Sequence, residues 1–219
     1  MTQKTVLITG STRSIGLKLA EHYVKSGWNV IGAARDPATA DQLKALSPYK
    51  IVQLDSSDEA SILNAAKALE GEAIDLLINN AGILLSSGTL AATTKDDLLK
   101  QFEVNSVGPF LVTRAFIPHL KAGVAKHGSA YVAQISSVMG SIGLNFGGYY
   151  GYRESKAAVN MINSSLAIDL KNDKIGAFGE GEITVETSVN GLVSVIDKFT
   201  LEDTGKFYDY TGKILPCSV

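Results

Sequence analysis

The stretch TVLITGSTRSIG, from Thr5 to Gly16, indicates how the whole chain folds. Its first part, Thr5 to Thr9, is a short apolar run without alternation, as expected of a strand buried on both faces of a parallel sheet. The glycines that follow lead into a helical pattern, and both a glycine turn and a helix N-terminus suit a pyrophosphate. The loop is neither GxGxxG nor a Walker A motif, so a simple tight turn before a helix is the alternative interpretation.

Similar apolar runs recur along the chain and are separated by helical patterns. Because strands alternate with helices, we predict a doubly wound α/β parallel sheet with its ligands beyond the carboxyl ends of the strands. The length of 219 residues suits a single domain, residues 1–219. After the first, the predicted strands are Asn29 to Ala34, Lys50 to Leu54, Ile74 to Ile78 and Ala130 to Ile135. The residues Lys174 to Phe178 are predicted to be the beginning of a sixth strand.

The end of the second predicted strand carries charges that would select between two nicotinamide cofactors. An acidic group such as Asp36 would bind the ribose 2'-hydroxyl of NAD, whereas Arg35 would accommodate the 2'-phosphate of NADP. Arg13 in the glycine loop adds a second cation, and arginine binds phosphate through bidentate charge-assisted bonds. The sequence therefore favours NADP over NAD, with a solvated strand end as the alternative.

The stretch YYGYRESKAAVN, from Tyr149 to Asn160, sets Tyr152 four residues before Lys156. Residues four apart share one face of a helix, so the phenol and the ammonium point at the same small volume. A nearby cation favours phenolate and lowers the pKa of a tyrosine from its usual value of about 10. We interpret the pair as a proton donor and acceptor. The alternative is a packed tyrosine beside a solvated lysine.

Composition and charge argue against several other classes of protein. With 20 Lys and Arg against 22 Asp and Glu, the chain has no electrostatic footprint for nucleic acid or an anionic membrane. Cys217 is the one cysteine, and no long apolar run or signal sequence is present, so we expect a soluble cytoplasmic protein. His22, His119 and His127 have no ligand-like spacing and are interpreted as surface or ordinary helix residues, so no metal site is predicted. A serine hydrolase using Ser137 is disfavoured because no GxSxG elbow occurs.

Taken together and in this order, the motifs resemble those of the short-chain dehydrogenase/reductase family, and within it the small carbonyl reductases. The resemblance covers nearly the whole chain. It implies a Rossmann-like sheet of about seven strands and an oxidoreductase that transfers hydride between NADP(H) and an aldehyde or ketone. The matching features are TGSTRSIG, Asp55 after the third strand, NNAG at Asn79 to Gly82, Asn105, the pair Ser136 and Ser137, and YGYRESK ending at Lys156.

The same resemblance implies a role for each matching residue. Tyr152 would give a proton to the carbonyl oxygen, while Lys156 would bind the nicotinamide ribose and lower the pKa of the tyrosine. Asn105 would hold a water that links Lys156 to solvent, and Ser137 would orient the substrate, with Ser136 structural. The cofactor-binding residues implied are Gly10, Ser11, Thr12, Arg13, Ser14, Ile15, Gly16, Arg35, Asp55, Asn80, Ala81, Gly82, Tyr152 and Lys156.

The pattern around Asn105 also carries a structural prediction. Asn105, with Gly108 and Pro109, is predicted to interrupt a helix that begins at Asp97, and a polar side chain at such a break suits an ordered water. By resemblance, we expect a homodimer or tetramer that assembles through Asp97 to Leu120 and Tyr152 to Leu170.

Two departures from the family pattern limit what the resemblance implies. Ser14 stands where the middle glycine of TGxxxGxG is usual, which places an extra Cβ and hydroxyl near the pyrophosphate. After Phe178, the segment Gly179 to Glu182 leads directly into a helical pattern from Ile183, whereas the family has a Pro-Gly turn and a segment that covers the nicotinamide. A gap of about a dozen residues would open the site to water. The alternative function is therefore a dinucleotide-binding or regulatory protein of the same fold with lost or weak turnover.

The substrate is indicated only in outline. The segment Ser141 to Gly148 offers Leu144 and Phe146 as apolar contacts and carries little charge. These residues suggest a small or apolar carbonyl compound, although as loop residues they could equally pack on their own domain.

Overall fold

The computed structural model describes residues 3–85, 88–181, 185–209 and 211–215. Within these residues, seven strands pair in parallel in one sheet. The order across the sheet is β3-β2-β1-β4-β5-β6-β7, which confirms the predicted doubly wound parallel sheet. In chain order the strands are β1 (Thr5–Ile8), β2 (Asn29–Ala34), β3 (Lys50–Gln53), β4 (Leu76–Asn79), β5 (Ala130–Ile135), β6 (Ile175–Gly181) and β7 (Phe207–Asp209).

Helices cover both faces of the sheet. The α-helices in the described residues are α1 (Ser14–Lys25), α2 (Asp41–Ala45), α3 (Glu59–Ala68), α4 (Lys95–Phe102), α5 (Gly108–His127), α6 (Tyr150–Asp169) and α7 (Val185–Ile196). Because side chains alternate along a strand, Val6 and Ile8 pack in the core with α1, α2 and α7, whereas Leu7 packs in the core with α3, α5 and α6. None of the helices in the described ranges combines the length and apolar character needed to cross a membrane.

The fourth strand begins two residues later than predicted. The apolar run starts at Ile74, but the N–H of Ile74 still donates to the carbonyl of His119 in α5, at 3.0 Å. Pairing with β1 therefore starts at Leu76 and continues through Ile78. The strand also ends one residue later than predicted, so Asn79 is its last residue and not the start of the loop.

The predicted interruption at Asn105 takes the form of a π-helical turn rather than a break in the helical path. Residues Glu103–Val107 form a π-helical turn that joins α4 to α5, so the helical path continues through Asn105. A π-turn accommodates an extra residue without ending the helix. Pro109 lies in the first turn of α5, directly after this π-helical turn.

The connection after the sixth strand is short, as predicted. β6 continues to Gly181 and α7 begins at Val185, so only residues 182–184 separate a strand from the next helix. Glu182 and Ile183, where the sequence analysis predicts this transition, lie outside the described residues, as does Cys217.

Candidate functional site

The carboxyl ends of the central strands border a cleft of about 600 Å³. Because these strands are parallel, residues far apart in the chain meet at this one edge of the sheet. Most of the predicted cofactor-binding residues line the cleft: Gly10, Thr12, Arg13, Ser14, Ile15, Gly16, Arg35, Asp55, Asn80, Ala81, Gly82, Tyr152 and Lys156. Ser11 does not line it; this residue is buried, and its hydroxyl donates to the carbonyl of Ala33 at 3.0 Å.

The turn between β1 and α1 is as tight as its glycines suggest. Gly10 has φ +63°, and a Cβ at Gly16 would lie 2.3 Å from the carbonyl oxygen of Gly10. Ser14 has φ +47°, in the left-handed region that costs a residue with a Cβ about 1 kcal/mol or more. The unusual serine is therefore held in a conformation that glycine adopts freely.

Two residues at neighbouring strand ends hold this turn in place. The hydroxyl oxygen of Thr9 accepts hydrogen bonds from the backbone N–H groups of Asn80 and Ala81, each at 3.0 Å. In return, Nδ2 of Asn80 donates to the carbonyls of Thr9 at 2.9 Å and Gly10 at 3.2 Å. Thr9 is not among the predicted site residues; its signal in the sequence is a hydroxyl at the last position before the first glycine.

The charged groups after β2 have different surroundings. Arg13 and Arg35 are exposed and line the same cleft, as predicted. Asp36 does not line it, and its Oδ1 accepts from the backbone N–H of Ala38 at 2.9 Å. The carboxylate of Asp36 therefore caps the turn that follows, while the two cations face the cleft.

Asp55 stands two residues after the end of β3 and lines the same cleft. Burial favours the neutral form of this carboxyl group and would raise its pKa. The carboxylate accepts hydrogen bonds from the backbone N–H and the hydroxyl of Ser57, at 2.9 and 2.8 Å. Together with the charges of Arg35 and Lys100, these bonds outweigh the effect of burial and lower the pKa of Asp55. Lys100, which the sequence analysis missed, also lines the cleft and forms an ion pair with Glu103 at 2.8 Å.

Tyr152 and Lys156 lie on one face of α6, and both line the cleft. The ammonium of Lys156 lies 5.5 Å from the centre of the Tyr152 ring. Lys156 is buried, and its Nζ donates to the carbonyl of Ile135 at 2.6 Å. A Cβ added at Gly82 would lie 3.8 Å from Nζ, so the loop after β4 passes close to this group.

Asn105 lies beside the cleft rather than in its lining. Its Oδ1 accepts from the N–H of Ile83 at 2.8 Å, and its Nδ2 donates to the carbonyl of Ile83 at 2.8 Å and to the hydroxyl of Ser155 at 3.0 Å. The buried amide thus ties the loop after β4 to α6.

The two serines after β5 have separate partners. The hydroxyl of Ser136 is buried and donates to the carbonyl of Lys156 at 3.4 Å. The hydroxyl oxygen of Ser137 accepts from the N–H of Met139 at 3.2 Å, at the start of the 3-10 turn Val138–Gly140. This bond uses a lone pair of Ser137 and leaves its O–H to another partner.

The histidines lie apart from this cleft. His119 is buried in α5 rather than at the surface; its Nε2 contacts the carbonyl oxygen of Leu69 at 3.0 Å, and burial lowers its pKa. His127 pairs with the buried carboxylate of Asp75. In the described parts of the chain, no group of three or more His, Cys, Asp or Glu residues could hold a metal ion.

The family model for short chain dehydrogenases matches residues 4–194. The "C-signal" protein of Myxococcus xanthus is 35% identical over 157 residues, which cover 65% of this chain and 92% of that protein. The short chain dehydrogenase gsfK of Penicillium aethiopicum is 30% identical over 247 residues, with 96% and 98% coverage. That alignment is longer than this chain, so the Penicillium protein contains segments with no counterpart here.

Among the solved structures that are similar over almost the whole chain are two carbonyl reductases. The NADPH-bound carbonyl reductase from chicken fatty liver has a TM-score of 0.89 and 31% identity, covering 99% of this chain and 100% of that one. The carbonyl reductase Sniffer of D. melanogaster has a TM-score of 0.91 and 28% identity, with 98% and 100% coverage.

Proposed function

Because the chain belongs to the short chain dehydrogenase family, we propose that it is an NADP(H)-dependent oxidoreductase that reduces the carbonyl group of an aldehyde or ketone. The observation that carries this proposal is the cleft at the strand ends. One continuous cavity is lined by the glycine turn, by Arg13 and Arg35, and by Tyr152 and Lys156.

Exposed apolar side chains on α4, α5 and α6 also favour the expected homodimer or tetramer: Leu99, Phe102, Phe110, Met161 and Ile168.

The residues of the cleft fit a dinucleotide. The volume of the cleft lies within the range of about 300–1,000 Å³ that ligand pockets span. Gly10 and Gly16 lack the Cβ atoms that would fill the turn, so their backbone and the N-terminus of α1 would hold the pyrophosphate. Asp55 would meet the adenine, and Asn80, Ala81 and Gly82 would meet the adenosine ribose.

The surroundings of the charged groups favour NADP over NAD. Arg13 and Arg35 would bind the 2'-phosphate, and arginine suits phosphate through charge-assisted hydrogen bonds. Asp36, the group that would bind a ribose 2'-hydroxyl in NAD, already caps the turn after β2. The chicken carbonyl reductase, which is similar over the whole chain, is NADPH-bound.

The pair on α6 would supply the proton chemistry. NADPH, when bound, would supply the hydride for the carbonyl carbon. Tyr152 would donate its phenolic proton to the carbonyl oxygen, so that the product is an alcohol, and the charge of Lys156 would stabilise the phenolate that remains. Ser137 would donate its O–H to the same carbonyl oxygen and orient the substrate.

Asn105 would act mainly by position. Its side chain holds Ile83 and Ser155, so it sets the distance between the loop after β4 and the helix that carries Tyr152. These bonds leave one lone pair of Oδ1 for the water that the resemblance implies beside Lys156.

Titration with NADPH and NADH by fluorescence, followed by a panel of aldehydes and ketones, tests the proposal. Tyr152→Phe should lower kcat/KM by about 10²- to 10⁴-fold, because a general acid contributes that much, and should leave the Kd for NADPH unchanged. Tyr150→Phe is the matched control, since Tyr150 has no lysine four residues on and should be neutral. Undiminished turnover in Tyr152→Phe would contradict the proposed chemistry.

The short connection after β6 favours a second candidate, an NADP-binding protein of the same fold with weak turnover. Only residues 182–184 separate β6 from α7, which leaves little chain to cover the nicotinamide end of the cleft. Binding of NADPH without consumption across the panel, followed by consumption once a longer Pro-Gly segment is inserted there, would favour this candidate.

A further inference from the structure

Gln101 is a buried glutamine in α4, four residues before Asn105. The residue is 3% exposed, and both polar atoms of its amide have partners within the protein. Its Oε1 accepts from the backbone N–H of Leu85 at 3.0 Å, and its Nε2 donates to the carbonyl of Asp97 at 3.2 Å. Because an N–H group needs an acceptor and a carbonyl needs a donor, these two bonds fix the orientation of the amide.

The first turn of α6 packs directly against this amide. A Cβ added at Gly151 would lie 2.5 Å from Nε2 of Gln101 and 3.3 Å from the Cα of Leu98, so a glycine is what lets the two helices approach this closely. Gly151 directly precedes Tyr152. The amide of Gln101 therefore lies against the backbone that leads into the proposed proton donor.

Asn105 joins the same loop to the same helix. Its Oδ1 accepts from the N–H of Ile83 at 2.8 Å, and its Nδ2 donates to the hydroxyl of Ser155 at 3.0 Å. Gln101 and Asn105 thus hold alternate residues of the loop after β4, and their contacts on α6 lie on either side of Tyr152 in the chain.

The loop held in this way forms part of the wall of the cleft. The lining residues that it contributes are Asn80, Ala81, Gly82, Ile83 and Leu84. A Cβ added at Gly82 would lie 3.8 Å from Nζ of Lys156, so the loop reaches the end of the cleft where the proton-transfer pair lies. A shift of this loop relative to α6 would therefore change the space in which Tyr152 meets a substrate.

We propose that Gln101 is a positioning residue for proton transfer: by joining the loop after β4 to the first turn of α6, its amide sets the place of Tyr152 in the cleft. The inference rests on the proposed function and adds a residue to it. Gln101 is not among the described residues that line the cleft, so it acts through Gly151 and the backbone of Tyr152. A displacement of about 1 Å costs about 10²-fold in rate even when the change lies away from the chemistry.

Gln101→Met tests the proposal, because it keeps the length of the side chain and removes both hydrogen bonds. With NADPH and the aldehyde or ketone of the panel that the parent reduces fastest, kcat and kcat/KM should fall together by about 10- to 100-fold. KM and the Kd for NADPH should stay unchanged, as expected when only the transition state is affected. The matched control is Gln134→Met, the same exchange at a buried glutamine whose amide donates to Thr113 of α5 at 3.4 Å. It should leave kcat nearly unchanged, whatever it does to the Tm.

A second measurement separates positioning from a general effect on stability. If Gln101 acts through Tyr152, it has no phenol to position in the variant Tyr152→Phe. Gln101→Met should therefore reduce the residual rate of Tyr152→Phe by less than about twofold, far less than additivity requires. The same fold-loss in both backgrounds would overturn the inference, because it would show an effect that does not pass through Tyr152.

Gly151→Ala approaches the same contact from α6 and keeps the test decisive if Gln101→Met does not fold. The new methyl group would displace the amide of Gln101, so kcat should fall as it does in Gln101→Met. In Gln101→Ala the shorter side chain leaves room for that methyl group, and Gly151→Ala should then cost less in kcat than it costs in the parent. Equal costs in the two backgrounds would contradict the contact on which the inference depends.

The outcomes separate this inference from the proposed function. NADPH consumption at the kcat of the parent in Gln101→Met, or an equal loss of kcat in Gln134→Met, would overturn the inference alone. No consumption by the parent with any carbonyl compound would overturn the reductase proposal, and the inference with it.

Discussion

Replacing Gly16 by alanine should disrupt the cofactor cleft at the closest contact of the glycine turn. The added Cβ would lie 2.3 Å from the carbonyl oxygen of Gly10 and 2.5 Å from Nδ2 of Asn80, whereas ordinary contacts begin at 3.4 Å. Neither neighbour is a flexible chain end, because one is backbone and the other donates to the carbonyls of Thr9 and Gly10. The turn must therefore open by about 1 Å, which forfeits close packing.

The cost follows from these contacts. Overpacking costs about 1–3 kcal/mol, and loss of the bond from Asn80 to Gly10 adds about 1 kcal/mol. A total of about 2–4 kcal/mol should lower the Tm by about 5–15 °C in a chain of this size, where 1 kcal/mol corresponds to about 2–4 °C. The Kd for NADPH should rise at least about tenfold, because the same displacement moves the backbone that would hold the pyrophosphate.

Thermal unfolding and NADPH fluorescence titration of the purified variant measure both effects. Gly179→Ala is the matched control, since its Cβ would meet nothing closer than Phe207 at 3.4 Å, and the Tm and Kd should stay near those of the parent. If Gly16→Ala behaved like this control in both measurements, the reasoning from the tight turn would be refuted.

Two further predictions concern charged groups. Arg35→Ala should raise the Kd for NADPH by about 5- to 30-fold, because one exposed charge-assisted contact is lost, and should leave the Kd for NADH unchanged. Asp36→Asn should change neither Kd, since asparagine also caps the turn. A loss of NADH binding in Asp36→Asn would contradict this assignment. Asp203 has a pKa lowered to about 2, chiefly by its hydrogen bond from Lys206, so its carboxylate stabilises the fold above its unfolded pKa and this contribution is lost as pH falls towards 2. Asp203→Asn should therefore lower the Tm by about 2–4 °C at pH 7, with a difference from the parent that shrinks between pH 5 and pH 2; a difference independent of pH would exclude this cause.

The strands were predictable because burial on both faces leaves continuous apolar runs. Asn29–Ala34 and Ala130–Ile135 coincide with β2 and β5, residue for residue. The order of strands across the sheet does not follow from such runs and was not predicted. The helix α2, Asp41–Ala45, was missed because it is only five residues long and buries only Leu43, too little for a periodic pattern.

The position of each site residue was easier to predict than its hydrogen bonds. Parallel strands bring their carboxyl ends together, so polar residues at those ends were expected to meet, and most of them line one cleft. Residue type does not reveal whether a side chain is already engaged within the protein. Asp36, Asn80 and Asn105 all form internal bonds that sequence reasoning could not assign.

These internal bonds bear on whether the short connection after β6 limits binding or turnover. The glycine turn is held by Thr9 and Asn80, and Lys156 is held by the carbonyl of Ile135. Asn105 adds a link to α6, and all of these residues precede β6 in the chain. The parts that would bind the adenosine and pyrophosphate are thus complete without a long segment between β6 and α7. A shortened connection should therefore act on the nicotinamide end, where water must be excluded, and reduce turnover more than affinity.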